Sequence, residues 1–153
     1  MTPRKNKTVR PKKPKNVQKF GVVALIRDGN GNILMQRRGK GKFPDADGKW
    51  EFPGGKVDFG ESPLEALERE VKEEVGCTVS VGRLLPVVLS HIWKRVKGGS
   101  THAIVLCYEC WHMSGTPRPE EGAATEVTWC TPAEIEKMDV LPGIPALMSA
   151  AGL

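Results

Sequence analysis

Apolar positions along this chain change period several times, and each change marks an element. Residues 20–26, FGVVALI, form a short apolar run rich in branched side chains, followed by Asp28-Gly29-Asn30-Gly31-Asn32 and then ILMQ. Two strands joined by a hairpin account for this order. Residues 37–49, RRGKGKFPDADGK, are polar, basic and aperiodic, and read as a loop whose cations can meet a ligand. In Trp50-Glu51-Phe52-Pro53-Gly54-Gly55 two glycines after a proline mark a bend where the backbone passes close to something. Ser62-Pro63-Leu64-Glu65 combines an N-cap serine, a proline at the first helical position and a glutamate at the third, which is a capping box. The helix it opens is expected to end near Val75, because Gly76 supplies the left-handed residue that commonly closes a helix.

Residues 78–96 read as strand interrupted by Gly82 and Pro86, residues 97–100 as a turn, and HAIVLCYECWH at 102–112 as a further strand. A loop over 113–124 and a short strand over 126–130 follow. Thr131-Pro132-Ala133-Glu134 is a second capping box, opening a short helix to about Met138, and ALMSAA at 146–151 predicts one or two more helical turns. No internal repeat is present. Strands before, between and after helices predict a mixed α/β or α+β domain with a largely antiparallel sheet.

The helix at 63–75 carries an unusual arrangement of charge. At about 100° per residue, with Glu70 as zero, Leu67, Val71, Leu64 and Val75 fall near ~60, ~100, ~120 and ~140°, an apolar stripe expected to face the core. Glu74, Glu70 and Glu73 fall near ~40, 0 and ~−60°, on one flank of that stripe and not on the fully solvated side. Arg69 is the base placed to relieve their repulsion. Gly54-Gly55 precedes the helix by a short connector that adds Asp58 and Glu61. Clustered carboxylates beside a free backbone carbonyl suit a hard divalent cation such as Mg²⁺ or Mn²⁺, which completes its shell with water and phosphate oxygens.

The spacing of these residues, Gly55, five residues, Glu61, seven residues, then Arg69-Glu70-Val71-Lys72-Glu73-Glu74-Val75-Gly76-Cys77, resembles the Nudix box, G-x5-E-x7-R-E-U-x-E-E-x-G-U with U aliphatic. Cys77 departs from the last position but packs as a small hydrophobe. The surrounding WEFPGGKVDFGE resembles the MutT-like branch. The resemblance implies an α/β/α sandwich around a mixed sheet, with residues 55–77 as a catalytic loop–helix–loop, and hydrolysis of a nucleoside diphosphate linked to a further group. It implies Glu70, Glu73 and Glu74 as metal ligands, with the Gly54 carbonyl as an additional one. Arg69 and Glu61 would orient the cluster and Lys56 would lie near the phosphates. The general base is left between Glu73 and Glu74. Glu121, with Glu120 beside it, is the candidate for a further acid from a distant loop, and Arg37, with Arg38, for contact with the nucleotide. Trp93 and Trp111 are expected in the core.

A MutT-like character favours a nucleoside triphosphate or an oxidised form of one, cleaved to the monophosphate and pyrophosphate. The proline and tyrosine that often mark ADP-ribose and dinucleoside polyphosphate enzymes beyond the box are replaced by Ile92 and Trp93. The alternatives are a hydrolase of the same family acting on another nucleoside diphosphate derivative, such as ADP-ribose, a dinucleoside polyphosphate or capped RNA, and a non-catalytic nucleotide- or RNA-binding module. The Cys107-Tyr108-Glu109-Cys110 pair lies in a predicted strand, where residues three apart face opposite ways, and supplies only half a zinc site. Its two cysteines are expected as one core and one surface residue.

Composition places the chemistry. The chain has 153 residues, 39% hydrophobic and 27% charged, which fits one globular domain without a membrane span. Its formal charge is +5, yet residues 1–19 hold eight bases and no acid, leaving 15 bases against 18 acids in the remainder. Residues 1–19 therefore read as a basic, flexible tail that could contact nucleic acid, and residues 20–153 as a single, mildly acidic domain. Four cysteines without export signals predict a reduced cytoplasmic setting, and the chain is expected as a monomer or homodimer.

Overall fold

The computed structural model describes residue 12 and residues 15–153. Strand β1 (Asn16–Arg27) is the spine of a seven-stranded sheet. The other strands are β2 (Ile33–Arg38), β3 (Trp50–Glu51), β4 (Gly54–Lys56), β5 (Thr78–Lys94), β6 (Ser100–Ser114) and β7 (Ala124–Cys130). Along its whole length β1 runs parallel to β6, from Asn16 opposite Ser100 to Arg27 opposite Trp111. Its other edge pairs antiparallel with β4 at Gly21–Val23 and with β2 at Arg27. β5 adds outside β6, and β3 and β7 add to β2, all antiparallel. The sheet is therefore mixed, with one parallel pair among antiparallel ones.

The expected flexible tail falls mostly on residues outside those described, but its boundary moves. Residues 16–19 belong to β1, because β6 continues to Ser100 and offers them backbone partners. Asp28 closes the β1–β2 turn by accepting from the backbone N–H groups of Asn30 and Asn32 at 2.8 and 2.9 Å. Gly82 and Pro86 do not divide β5; they fall at register shifts within one long strand.

Helix α1 (Pro63–Val75) has the expected capping box at Ser62 and Glu65 and a left-handed Gly76. It covers one sheet face, where Ala66, Leu67, Val71 and Val75 pack on Val22, Ala24, Ile26 and Leu34. Leu64 is 46% exposed and not part of the stripe, since it sits in the first turn, before the helix meets the sheet. The single turn α2 (Pro132–Ile135) is shorter than expected, because Val140 is drawn into a bridge with Trp50. Helix α3 (Ile144–Ala150) covers the other face, packing Ile144 and Leu147 on Leu25, Ile33 and Met35. Helices on both faces of a mixed sheet make the α/β/α sandwich.

Two-sided cover corrects the reading of the cysteine pair. Cys107 and Cys110 do face opposite ways, into the α3-side and α1-side cores respectively, yet both are buried. Burial pushes both thiols up to about 12. Among the described residues no helix is long and apolar enough to cross a membrane.

Candidate active site

The Gly54–Gly55 bend is fixed by what lies against it. A Cβ on Gly54 would run into the Val22 carbonyl of β1, and one on Gly55 would land on the Glu70 carboxylate. Only glycine lets β4 pair with β1 and still bring its backbone against α1. The Gly54 N–H donates to Glu74 Oε2 at 3.0 Å, and the Gln36 amide of β2 donates to the same oxygen at 2.7 Å. Three elements, β2, β4 and α1, thus converge on one carboxylate. Burial pushes Glu74 up to about 8, against the lowering effect of these two donors and with Glu51 and Glu70 adding repulsion.

Arg69 organises the remaining acids. Its Nε and Nη2 donate to Glu61 at 2.7 and 2.9 Å, and its Nη1 donates to Glu70 at 2.8 Å and to Glu73 at 3.2 Å. Nη2 also donates to the Lys56 carbonyl at 3.0 Å, tying the connector to the helix. The Arg69 fork holds Glu61 down at about 2. Glu70 is pushed up by burial despite Arg69, with Glu73 and Asp58 adding repulsion. Lys56 Nζ pairs with Asp58 at 3.1 Å and lines the neighbouring cleft.

A cleft of about 270 Å³ opens beside this cluster on the α3 side of the sheet. Gly54, Gly55 and Lys56 form its box end, and Phe43, His91 and Trp93 supply an aromatic wall. The Phe43 and Trp93 rings lie 6.2 Å apart and those of His91 and Trp93 4.1 Å apart. Trp93 is thus a half-buried cleft residue rather than core. Trp111 is 43% exposed and lies over Gly82 on the outer strand pair, also outside the core.

The basic pair ending β2 divides. Arg37 turns away, donating to the Gly48 carbonyl at 2.9 Å and approaching Glu126 at 3.4 Å, and does not line the cleft. Arg38 lines it and donates to both oxygens of Glu51 at 3.0 and 3.1 Å. Neighbouring residues of a strand point to opposite faces, and Arg38 shares the face of Gln36 and Glu51. Glu121 is exposed in the turn before β7 and lies outside the cleft lining; that turn is held by the Gly39 N–H, which donates to the Ala123 carbonyl at 3.0 Å.

Sequence reasoning passed over Gln36 and Glu51. Gln36 Nε2 reaches Glu74 at 2.7 Å and Glu51 at 3.4 Å, linking the two carboxylates. The Glu51 side chain is 15% exposed, and burial raises its proton affinity against the opposing Arg38 charge. The available signal was a lone amide closing the apolar run ILMQ at a core-facing parity.

The donor set suits a hard divalent cation. Glu70, Glu73 and Glu74 offer carboxylate oxygens on one helix edge; burial, with a smaller repulsion from neighbouring acids, raises the proton affinities of Glu70 and Glu74, and a bound cation would stabilise their charged forms. Among the described residues no three such side chains stand ready-made around one point, since Arg69 engages Glu70 and Glu73 while Glu74 points to Gly54.

The NUDIX domain family model matches residues 17–148. A CTP pyrophosphohydrolase of Escherichia coli strain K12 is 36% identical over 132 residues, which cover 84% of this chain and 88% of that protein. An 8-oxo-dGTP diphosphatase of the same strain is 47% identical over 59 residues, 37% of this chain and 43% of its own. The crystal structure of a MutT protein from Methanosarcina mazei Go1 superposes with a TM-score of 0.66 at 28% identity, covering 89% of this chain and 91% of that one. Family hydrolases of this kind generally use divalent metals. A glycine bend pressed on Glu70, an arginine gathering the box acids, and a family match spanning the sandwich agree: the chain belongs to the NUDIX family, in its MutT-like branch, as a hydrolase acting on phosphorus anhydrides.

Proposed function

We propose that this protein hydrolyses a nucleoside triphosphate, canonical or base-modified, to the nucleoside monophosphate and pyrophosphate with Mg²⁺, or Mn²⁺ in its place. The observation that carries this reading is the cleft, which has an aromatic wall of Phe43, His91 and Trp93 at one side and Gly54–Lys56 at the other, the two glycines lying directly against Glu70 and Glu74 of α1. Flat rings suit a base, and the box end suits phosphates. Relatives named for CTP and for 8-oxo-dGTP support a nucleotide of this size.

Glu70, Glu73 and Glu74, with the Gly54 carbonyl, would hold the ion, which when bound neutralises phosphate charge and lowers the pKa of water. Lys56 faces the cleft and adds positive charge for the phosphates. Arg69 and Glu61 keep Glu70 and Glu73 in place. With the ion bound, Glu73 or Glu74 would accept the proton of the attacking water. Arg38 and Glu51 stand in the cleft wall to meet polar groups of the nucleotide.

A hydrolysis screen with Mg²⁺ over canonical and oxidised nucleotides, ADP-ribose, dinucleoside polyphosphates and capped RNA tests this. Turnover of a triphosphate to pyrophosphate is expected, falling about 10²–10⁴-fold in Glu73→Gln or Glu74→Gln. Preferred turnover of ADP-ribose or capped RNA, or turnover untouched by both substitutions, rejects it.

A further inference from the structure

The basic stretch is joined to the body by more than the chain. Lys15 and Lys19, at the start of β1, meet the β5–β6 turn at 95–99 and the loop residues Gly41 and Lys42, and these segments line a second depression next to the nucleotide cleft. Backbone bonds fix them together: Ser100 N donates to the Lys15 carbonyl at 2.8 Å, and Val96 N donates to the Lys42 carbonyl at 3.0 Å. The lining contains Lys15, Lys19, Lys42, Arg95 and Lys97 and no acid. Arg95 is used within the turn, donating to the Lys15 carbonyl at 2.6 Å. The lysines held in ion pairs among the described residues are Lys49 and Lys56, so the four groove lysines keep their charge for a ligand. Lys19 and Lys42 also line the cleft, so the positive surface runs into it.

At that junction stand the rings of Phe43, Trp93 and His91, with Lys42 Nζ 5.1 Å from the Phe43 centroid. We propose that this groove binds the phosphate backbone of a single-stranded nucleic acid, with one base stacked on the ring wall where groove and cleft meet. A free nucleotide brings one base and one phosphate chain, which the cleft and box already accommodate. Successive phosphates of a strand account for cations spread over three segments beyond it. A cationic groove beside aromatic platforms is the combination that binds strands with exposed base faces, whereas a duplex hides those faces. Binding here does not require hydrolysis.

The test uses the full chain and a labelled single-stranded RNA of about twelve nucleotides, with fluorescence anisotropy followed across a fourfold rise in salt. Lys15→Ala/Lys97→Ala alters the groove outside the cleft. Losing two phosphate contacts should make the salt-induced fall in affinity about sevenfold smaller than in the parent protein. Triphosphate turnover and melting temperature should stay as they were. A control pair, Lys5→Ala/Lys7→Ala, should change the salt response less. An unchanged salt response in the groove variant, an equal change in the control pair, or equally tight binding of a duplex of the same sequence would overturn the proposal.

Discussion

Gly55 sits so close to Glu70 that a single methyl group on residue 55 would occupy the position of the Glu70 carboxylate. The glycine that opens the box and the first glutamate of its helix are therefore packing partners, fifteen residues apart in sequence. Gly55→Ala should displace Glu70 from Arg69 while leaving the rest of the sandwich in place. We expect turnover to fall about 10–100-fold, as for loss of an orienting partner at a metal site, with the apparent metal affinity lowered in parallel. A variant with parental turnover and metal dependence would show that Glu70 relaxes freely.

Arg69 donates to Glu61, Glu70 and Glu73 and to a backbone carbonyl, so its removal leaves three acids facing one another. Arg69→Ala should destabilise the fold by about 1–3 kcal/mol at neutral pH in the presence of a chelator. Added divalent cation should restore part of the loss. Arg69→Lys should recover little, because a point ammonium cannot span acceptors arranged around a planar fork. Equal melting temperatures for Arg69→Lys and the parent protein would contradict this.

The raised proton affinity of Glu74 gives a pH signature. The unfolded carboxyl releases its proton near 4.5, whereas the native one holds it up to about 8. Between these values the native state binds the extra proton, so stability falls as pH rises through the window and levels off above it. In chelator, the loss across the window should be on the order of 5 kcal/mol. Glu74→Gln should flatten that dependence and melt higher than the parent protein at the alkaline end. Parallel pH curves for the two proteins would show that Glu74 is not the group responsible.

Arg38 and Arg37 are adjacent in sequence and point to opposite faces of β2, so their substitutions should differ. Arg38→Ala removes the two-oxygen partner of Glu51 within the cleft and should raise KM about tenfold, an effect on the order of 1.4 kcal/mol. Arg37→Ala loses only contacts outside the cleft and should leave KM within about twofold. Steady-state kinetics on the preferred nucleotide decide it, and an equal rise in both variants would place Arg37 in the site as well.

Much of this protein was determined by local sequence. The capping boxes at Ser62 and Thr131, the left-handed Gly76 and the box spacing depend on neighbours within a few residues, and the helix period alone puts Glu70, Glu73 and Glu74 beside the core stripe. Tertiary structure decided what those side chains touch. Gln36 joins Glu51 to Glu74 only because β2, β3 and α1 meet across the sheet, and no sequence interval encodes that approach. Both cysteines of the CYEC strand are buried because helices cover both sheet faces, whereas strand alternation specifies opposite faces without saying what covers them. Strand alternation puts Arg37 and Arg38 on opposite faces of β2, and only the assembled cleft decides which of the two lines it. The basic stretch joins the body at Asn16 because β6 is long enough to pair with it, a length set by the partner strand and not by the lysines themselves. Short-range periodicity fixes elements and caps; the contacts that tune charge are long-range, and they exist only once the sheet is assembled.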